Sequence, residues 1–223
     1  MSINQTIQET VRSILAQIPP DVILLAAAKT RTLEEVEAVI EAGVNHIGYN
    51  YVQESIPIMQ AIGSRATWHM IGHLQRNKVK IVAEYFDMVE TVDSWALAQS
   101  LERHCEAKQK IMPVLLEINS GEEANKTGIS PENVDDLVEK MSRLRFVRIQ
   151  GVMTMGPRFG DPEDSRPYFQ ITRRIFDHLS LMNLPNVTMK YLSMGMSNSY
   201  LIALEEGANI IRIGTKLFGD RKE

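Results

Sequence analysis

The spacing of hydrophobic and polar residues along the chain changes once, near residue 20. The opening segment places apolar side chains at three- and four-residue steps: Ile3, Ile7, Val11, Ile14, Leu15 and Ile18. This spacing predicts an amphipathic helix, which Pro19 and Pro20 end because proline does not continue a helix. From there onward, each short apolar run is followed by a polar loop, a helical pattern and a glycine or asparagine.

The apolar runs predict eight buried strands, each bounded by turn-forming residues. The predicted strands cover residues 22–28, 44–48, 67–71, 88–91, 111–118, 148–154, 188–192 and 210–213. Helices are expected between them, and Thr32 followed by Glu35 is a capping box that marks the start of one. Strands that alternate with helices favour a parallel sheet, because each helix returns the chain to the edge where the next strand starts.

About eight strand–helix units in a chain of 223 residues fit a closed (β/α)8 barrel, the TIM barrel. An open doubly wound sheet is the alternative architecture for the same alternation. We predict an α/β protein with one TIM-barrel domain over residues 1–223. The N-terminal helix is then an extra element that covers part of the outer ring or the floor of the barrel.

Composition and charge narrow the class of protein. Hydrophobic residues make up 44% of the chain and charged residues 23%, an ordinary balance for a globular protein. The net charge of −4 argues against a general nucleic-acid binder, since such proteins usually carry a basic surplus. The single cysteine, Cys105, excludes an internal disulfide and a multi-cysteine metal site. No signal peptide or membrane-spanning apolar run is evident, so we expect a cytoplasmic protein without membrane contact.

The candidate chemistry begins with Lys29, which directly follows the first apolar run. A lysine at a strand end is held on a rigid element and partly screened from water, which favours the neutral amine that attacks an aldehyde. The alternative is a lysine that extends its charge into solvent. Lys190, inside the seventh predicted strand, is the rival amine, although strand alternation could turn it outward. Lys126 lies in a polar loop, where it is either a second amine for an aldehyde or phosphate or, as we favour, a solvated lysine.

Two segments near the end of the chain have the composition of an anion site. Residues 193–198 (Ser-Met-Gly-Met-Ser-Asn) and 212–215 (Arg-Ile-Gly-Thr) belong to the last two predicted strands and the loops after them. Small residues let backbone N–H groups approach a ligand, and these two loops form the usual phosphate site of TIM barrels. Arg212 interrupts an apolar strand and needs an acceptor, either a ligand or a barrel carboxylate such as Glu117.

Polar side chains also follow the second and third predicted strands, where we expect them to line the mouth of the barrel. Asn50 can hydrogen-bond a ring hydroxyl or carbonyl at the mouth of the barrel. His69 and His73 are four residues apart, but they straddle a strand end and a glycine. Because no third ligand is evident, no metal site is predicted.

Taken in order, several segments resemble the pyridoxal 5′-phosphate (PLP) homeostasis family, whose barrel is similar to the N-terminal domain of alanine racemases. The segments that carry the resemblance span nearly the whole chain: Ala-Lys-Thr at 28–30, Gly-Tyr-Asn-Tyr-Val-Gln-Glu at 48–54, Trp-His-Met-Ile-Gly-His-Leu-Gln at 68–75, Asn-Lys-Thr-Gly at 125–128, Leu-Ser-Met-Gly-Met-Ser at 192–197 and Arg-Ile-Gly-Thr at 212–215. The resemblance implies a fold-type III PLP protein that lacks the second domain of alanine racemases. Tyr49 and Asn198 depart from the pattern, since the family usually has glutamate and an acidic residue there.

The resemblance also implies roles for six residues. Lys29 would form the Schiff base, Ser197, Gly214 and Thr215 would hold the phosphate, Arg212 would face the pyridine nitrogen, and Asn50 would line the pocket. A cation beside the ring nitrogen opposes its protonation and makes the ring a poorer electron sink. This favours cofactor holding over turnover, and the resemblance implies a monomeric, non-catalytic carrier or regulator of PLP with PLP-dependent apo-enzymes as candidate recipients.

Two enzyme hypotheses remain as alternatives. One is a PLP-dependent amino-acid racemase. The other is an aldolase that forms a Schiff base with a sugar phosphate through Lys29 or Lys190.

Overall fold

Eight parallel strands form a closed barrel in the computed structural model, which describes residues 3–122, 127–157 and 160–219. The strands are β1 (Ile23–Ala27), β2 (His46–Tyr49), β3 (Thr67–Met70), β4 (Met88–Val92), β5 (Met112–Ile118), β6 (Val147–Thr154), β7 (Val187–Ser193) and β8 (Ile210–Ile213). They follow one another around the barrel in chain order, and β8 pairs with β1. The predicted TIM barrel is confirmed, and the open doubly wound sheet is wrong because the sheet closes.

Helices surround the barrel and connect its strands. Within the described residues they are α1 (Ile3–Leu15), α2 (Leu33–Glu41), α3 (Val52–Ile62), α4 (Val79–Tyr85), α5 (Trp95–Glu106), α6 (Val134–Met141), α7 (Arg166–Leu181), α8 (Tyr200–Glu205) and α9 (Thr215–Phe218). In this part of the chain, no helix combines the length and the apolar character needed to cross a membrane.

The predicted strand boundaries agree with the observed ones to within about two residues. The largest difference is at β2, which starts at His46 rather than at Val44. Gly43 ends the preceding helix with φ 106°, in the left-handed region that favours glycine. The N–H of Val44 then donates to the carbonyl oxygen of Val39 at 3.2 Å. Because this bond belongs to the end of the helix, the backbone joins the sheet only afterwards.

The N-terminal helix α1 belongs to the outer layer of the barrel. Ile7, Val11 and Ile14 are buried, as their spacing predicts, whereas Ile3 at the start of the helix is exposed. The helix packs against α2 and α9. Because α9 has only 4 residues, α1 covers the part of the ring that a longer last helix would occupy.

Two apolar clusters fill the interior of the barrel. One contains Leu25, Ile71 and Ile210, the other contains Met88, Leu115 and Met153, and Tyr191 packs against both. Gly48 lies against the first cluster. A Cβ on this glycine would lie 2.5 Å from Leu25 Cδ2 and 2.8 Å from Ile71 Cδ1, so close packing inside the barrel requires glycine here.

Candidate functional site

Lys29 lies in the loop between β1 and α2, at the carboxyl end of the first barrel strand. The N–H of Ala28 donates to the carbonyl oxygen of Gly48 at 2.9 Å, which extends the contact between β1 and β2 up to the lysine. Lys29 is partly buried. The amine is therefore carried at the edge where TIM barrels hold their reacting groups.

The residue after the lysine has a strained backbone. Thr30 has φ 64°, a left-handed value that β-branched residues rarely adopt. Its N–H donates to Glu54 Oε2 at 3.2 Å, and the predicted capping box between Thr32 and Glu35 is present at the start of α2. Such strain costs about 1–3 kcal/mol and persists where surrounding contacts enforce it, often at functional sites. These contacts give the Lys29 loop a defined path between β1 and α2.

The loops after β7 and β8 converge on the hydroxyl of Ser197. Its Oγ accepts hydrogen bonds from the backbone N–H groups of Gly214 at 3.3 Å and Lys216 at 3.2 Å. Gly195, in the first of these loops, has φ 86°, and a Cβ there would lie 2.6 Å from the Cβ of Ala203. Backbone N–H groups that point at one oxygen form a concavity suited to an anion.

The Lys29 loop and the Gly214 loop are neighbours because β1 pairs with β8. Ala26 lies opposite Ile213 in this register, and a Cβ on Gly214 would lie 3.3 Å from the carbonyl oxygen of Ala27. Arg31 joins the same two regions, since its Nη2 donates to the carbonyl oxygen of Gly219 at 2.6 Å. The amine and the converging amides are therefore carried by adjacent strands.

Arg212, in β8, is only 5% exposed. Its Nη1 donates to Ser193 Oγ at 2.6 Å, and its Nη2 donates to the carbonyl oxygen of Thr154 at 2.8 Å. Burial lowers the pKa of the guanidinium, and the charges of Glu90 and Glu117 oppose this shift. Glu117 was the carboxylate partner suggested by the sequence, but Glu90 has the larger electrostatic effect.

A chain of buried polar side chains continues from Ser193. Ser193 Oγ donates to Glu90 Oε2 at 2.6 Å, and His69 Nδ1 lies 2.7 Å from Glu90 Oε1. His69 Nε2 in turn contacts His46 Nδ1 at 2.9 Å. Burial alone would raise the pKa of Glu90, but the hydrogen bonds and charges of His69, Arg212 and Ser193 outweigh it and lower the pKa. Glu90 is therefore an ionised carboxylate inside the barrel.

Glu117, in β5, carries a buried oxygen that lacks a partner among the described residues. The residue is 2% exposed, and its Oε1 accepts a hydrogen bond from Thr127 Oγ1 at 2.7 Å, whereas Oε2 accepts none. Burial raises the pKa of this carboxyl, and the hydrogen bond from Thr127 opposes the shift. An orphaned oxygen of this kind is a position where a donor on a ligand would be favourable.

Asn50 follows β2 and lines a cleft of about 450 Å³ between the loops after β2 and β3. The backbone is closely packed here, because a Cβ on Gly72 would lie 2.4 Å from the carbonyl oxygen of Asn50. Asn50 is thus at the predicted end of the barrel, on the side of β2 and β3. Arg212 and Ser197 are on the side of β7 and β8, and Lys29 at the end of β1 lies between the two sides.

The rival candidates from the sequence have other surroundings. Lys190 is exposed on β7, and its Nζ lies 4.7 Å from the centroid of the Tyr191 ring. Strand alternation has turned this lysine outward, so an aldolase site on Lys190 is not supported. The two histidines considered as metal ligands, His69 and His73, do not converge on one site. His69 contacts Glu90, whereas His73 Nδ1 lies 3.9 Å from an oxygen of Asp93.

The two departures from the family pattern lie in different environments. Tyr49 is fully buried with its ring centroid 6.3 Å from that of Trp68, and its hydroxyl has no hydrogen-bond partner among the described residues. Burial, followed by the charge of Glu54, raises the pKa of Tyr49. Asn198 is exposed, and Lys126 lies outside the described residues.

Sequence reasoning missed Glu90 and His46. The available signal for Glu90 was a carboxylate in the middle of a buried run, where a charge needs a partner. His46 stood at the start of a strand with no local pattern to mark it. Its importance becomes visible only when the barrel sets it beside His69.

Comparison with known proteins identifies the class to which this barrel belongs. A family model described as alanine racemase, N-terminal domain, matches residues 4–222. An alanine racemase of Clostridium difficile has the same fold, with a TM-score of 0.78 at 14% identity over 98% of this chain and 58% of the racemase. The class is thus the barrel of alanine racemases.

Closer relatives specify the family within this class. The pyridoxal phosphate homeostasis protein of Aquifex aeolicus is 39% identical to this chain, over 89% of the chain and 87% of that protein. The protein of the same name from Vibrio alginolyticus is 34% identical, over 97% of this chain and 98% of its own length. The chain belongs to the pyridoxal phosphate homeostasis protein family.

Solved structures of a Synechococcus elongatus protein, PipY, agree with this assignment. PipY without PLP has a TM-score of 0.90 at 33% identity and covers 96% of this chain. PipY with PLP bound has a TM-score of 0.87 at 32% identity and also covers 96% of this chain. In both cases the match spans 100% of the PipY chain.

The polar groups at the carboxyl end of the barrel fit PLP. Converging N–H groups near Ser197 suit a phosphate, and Lys29 on the adjacent strand suits an aldehyde. Oε2 of Glu117, which lacks a partner among the described residues, leaves an unused acceptor near the carboxyl end of β5. An anion site, an amine and a buried cation are the groups that a phosphorylated pyridine aldehyde requires.

Proposed function

We propose that this chain binds PLP as a Schiff base on Lys29 and acts in intracellular PLP homeostasis as a carrier or regulator without turnover. The observation that supports this most strongly is the pairing of β1 with β8. Lys29 follows β1, and the amides that converge on Ser197 follow β8. The relatives named for pyridoxal phosphate homeostasis and the structure of PipY with PLP bound support the same ligand.

Each proposed site residue has a separate task. Lys29 supplies the amine, Ser197, Gly214 and Thr215 hold the phosphate through hydroxyl and backbone N–H groups, Asn50 lines the pocket, and Arg212 faces the pyridine nitrogen. When bound, PLP supplies an aldehyde that condenses with an amine and a ring that can withdraw electrons. All six residues lie at the carboxyl end of β1, β2, β7 or β8 or in the loop that follows.

Arg212 favours storage of the cofactor over turnover. Its positive charge would oppose protonation of a ring nitrogen beside it, because two cations in a buried space repel each other. Its bonds to Ser193 and Thr154 hold the guanidinium in place. Without a protonated ring nitrogen, the ring stabilises a carbanion less well, which slows amino-acid chemistry.

Absorbance spectroscopy tests the assignment of Lys29. Wild type, Lys29→Ala and the matched control Lys190→Ala are mixed with PLP, and the visible band of the bound cofactor is recorded. Wild type and Lys190→Ala should develop the band and lose it when hydroxylamine captures the aldehyde. If Lys29→Ala develops the same band as wild type, the assignment of Lys29 is wrong.

The family match to alanine racemases makes a PLP-dependent amino-acid racemase the second candidate. Exchange of the α-proton of L-alanine in deuterated water separates the two functions. A carrier should give no more exchange than the same concentration of free PLP. Exchange well above that level, abolished in Lys29→Ala, would establish the racemase and overturn the carrier.

The proposal also covers the enzymes that receive PLP from this chain and the oligomeric state of the chain. A PLP-loaded carrier should restore an apo-enzyme that depends on PLP faster than an equal amount of free PLP. We also propose that residues 1–223 form a single cytoplasmic domain that is monomeric. Light scattering coupled to size exclusion should give a mass near 25.2 kDa.

A further inference from the structure

A continuous chain of buried side chains crosses the barrel interior from β8 to β2. Arg212 Nη1 contacts Ser193 Oγ, which contacts Glu90 Oε2, both at 2.6 Å. Glu90 Oε1 lies 2.7 Å from His69 Nδ1, and His69 Nε2 lies 2.9 Å from His46 Nδ1. Of the five residues, only His46 is partly exposed. The chain therefore connects the proposed ring-facing cation to the amino end of β2.

The hydrogen bonds of this chain converge on Glu90. Arg212 can only donate, so the single Ser193 proton goes to Glu90, which accepts as a carboxylate. His69 donates from Nδ1 to the other oxygen of Glu90. His69 Nε2 and His46 Nδ1, 2.9 Å apart, share the next hydrogen bond. Ser193 and His69 thus both donate to Glu90, which is the central acceptor of the chain.

We propose that Glu90 and His69 are positioning residues that hold the Arg212 guanidinium toward the cofactor and set the charge it presents there. The inference rests on the proposed function, because it assigns the residues that act on the cofactor through Arg212. Neither residue is proposed to touch PLP. His46 completes the chain through its contact with His69 Nε2.

The surrounding charges make this arrangement sensitive to the loss of one carboxylate. Arg212 is faced by Glu90 from β4 and by Glu117 from β5. Glu117 is in turn influenced by Asp93 and His73, and His46 by Asp87 as well as by His69 and Glu90. Apolar side chains such as Leu115 and Met153 fill the neighbouring interior, so water screens these charges poorly. Neutralising Glu90 should therefore leave excess positive charge at Arg212.

Three variants test the inference in the chain of 223 residues. Glu90→Gln keeps the shape of the side chain and removes its charge. His69→Leu removes the hydrogen bond to Glu90, whereas His69→Asn is the conservative variant that keeps an N–H donor near the position of Nδ1. His178→Asn is the matched control, because His178 is an exposed histidine of α7 that contacts Asp135 and lies outside the chain.

In one set of measurements, PLP is added to each variant, and its affinity for PLP and the pH dependence of the visible band are recorded. Loss of a hydrogen bond to a buried charge should weaken PLP binding by about tenfold to hundredfold in Glu90→Gln and His69→Leu. In Glu90→Gln the band should also change at a lower pH, because added positive charge disfavours a proton on the bound cofactor. His69→Asn should recover most of the affinity, and His178→Asn should resemble wild type. A purely structural role would not shift the pH midpoint.

Without PLP, the side-chain NMR signal of Arg212, identified by its loss in Arg212→Lys, reports on the guanidinium directly. It should be resolved in wild type and His69→Asn, and broadened or lost in Glu90→Gln and His69→Leu. An unchanged signal in folded Glu90→Gln would overturn the inference even if PLP binds. If Glu90→Gln does not fold, Ser193→Ala cuts the same link to Arg212 and must give the same loss. Failure of wild type to bind PLP would instead overturn the proposed function.

Discussion

The imidazole rings of His46 and His69 contact each other directly, with Nδ1 of the first 2.9 Å from Nε2 of the second. The two residues lie on adjacent strands, and their ring centroids are 5.1 Å apart. A proton on both rings at once would place two positive charges side by side in a partly buried space. The pair therefore favours the neutral form of His46, and this has a measurable consequence for stability.

Acidification should destabilise the protein through His46. Burial, followed by the charge of His69, lowers the pKa of His46 to about 4, compared with about 6.5 in an unfolded chain. Between these two pKa values, His46 binds more protons in the unfolded state than in the folded state. The contribution of His46 to the free energy of unfolding is therefore complete above pH about 6.5 and declines as the pH falls to about 4. Because the residue is partly exposed, we expect a loss of only about 1–2 kcal/mol.

Urea unfolding at a series of pH values measures this contribution. In His46→Asn the side chain keeps an N–H donor but does not titrate, so the dependence on pH over this window should be shallower than in wild type by about the same amount. His104→Asn in α5 is the control and should keep the wild-type slope. Equal slopes in wild type and His46→Asn would contradict the assigned shift.

The loop that carries Lys29 should depend on the left-handed backbone of Thr30. Thr30→Asn should bind PLP within about twofold of wild type and gain up to about 1 kcal/mol of stability, because asparagine tolerates φ 64° better than a β-branched residue. Thr30→Pro should weaken binding more than tenfold, since proline fixes φ near −65° and removes the N–H that contacts Glu54. Fluorescence titration with PLP measures both. Unaltered binding by Thr30→Pro would show that this loop does not position the amine.

The buried hydroxyl of Tyr49 should be a net cost to stability. It has no partner among the described residues, and burial of an unsatisfied hydroxyl costs about 1–3 kcal/mol. Tyr49→Phe should therefore be at least as stable as wild type and up to about 2 kcal/mol more stable, as measured by denaturant unfolding at pH 7. Tyr85→Phe in α4 is the control and should change stability little. A clear loss of stability in Tyr49→Phe would mean that the hydroxyl makes a favourable contact.

The strands of this chain could be predicted from the sequence because each strand is marked by residues close to it in the chain. The run of apolar residues in β1 and the glycine after α2 act over a few residues, and both predicted structure correctly. Gly195 and Gly214 were likewise marked by local composition. The register of a closed barrel then determines which strand ends become neighbours, so the fold itself brings the Lys29 loop beside the Gly214 loop.

The hydrogen-bond partners of Arg212 could not be predicted from nearby residues in the sequence. Ser193 and Glu90 are 103 residues apart in sequence, and their contact depends on side chains that turn inward from β7 and β4. The sequence showed that a buried arginine needs an acceptor, but several barrel carboxylates met that description. Only the packed interior distinguishes Glu90, whose two oxygens are both occupied, from Glu117, which retains an orphaned oxygen.

The hydroxyl of Ser197 should matter for the phosphate and not for the aldehyde. Ser197→Ala removes one donor and the oxygen on which the Gly214 and Lys216 amides converge. We expect PLP affinity to fall about tenfold, as for the loss of a hydrogen bond to a charged group. The affinity for pyridoxal, which lacks the phosphate, should stay within about twofold of wild type.

The ratio of the two affinities separates a phosphate contact from a general disturbance of the site. Ser180→Ala, on the exposed surface of α7, is the matched control and should leave both affinities unchanged. Equal losses for PLP and pyridoxal in Ser197→Ala would mean that the loop supports the whole pocket rather than the phosphate. An unchanged PLP affinity would place the phosphate elsewhere at the barrel mouth. A loss confined to PLP would instead assign the anion to the amides after β8, one strand away from Lys29.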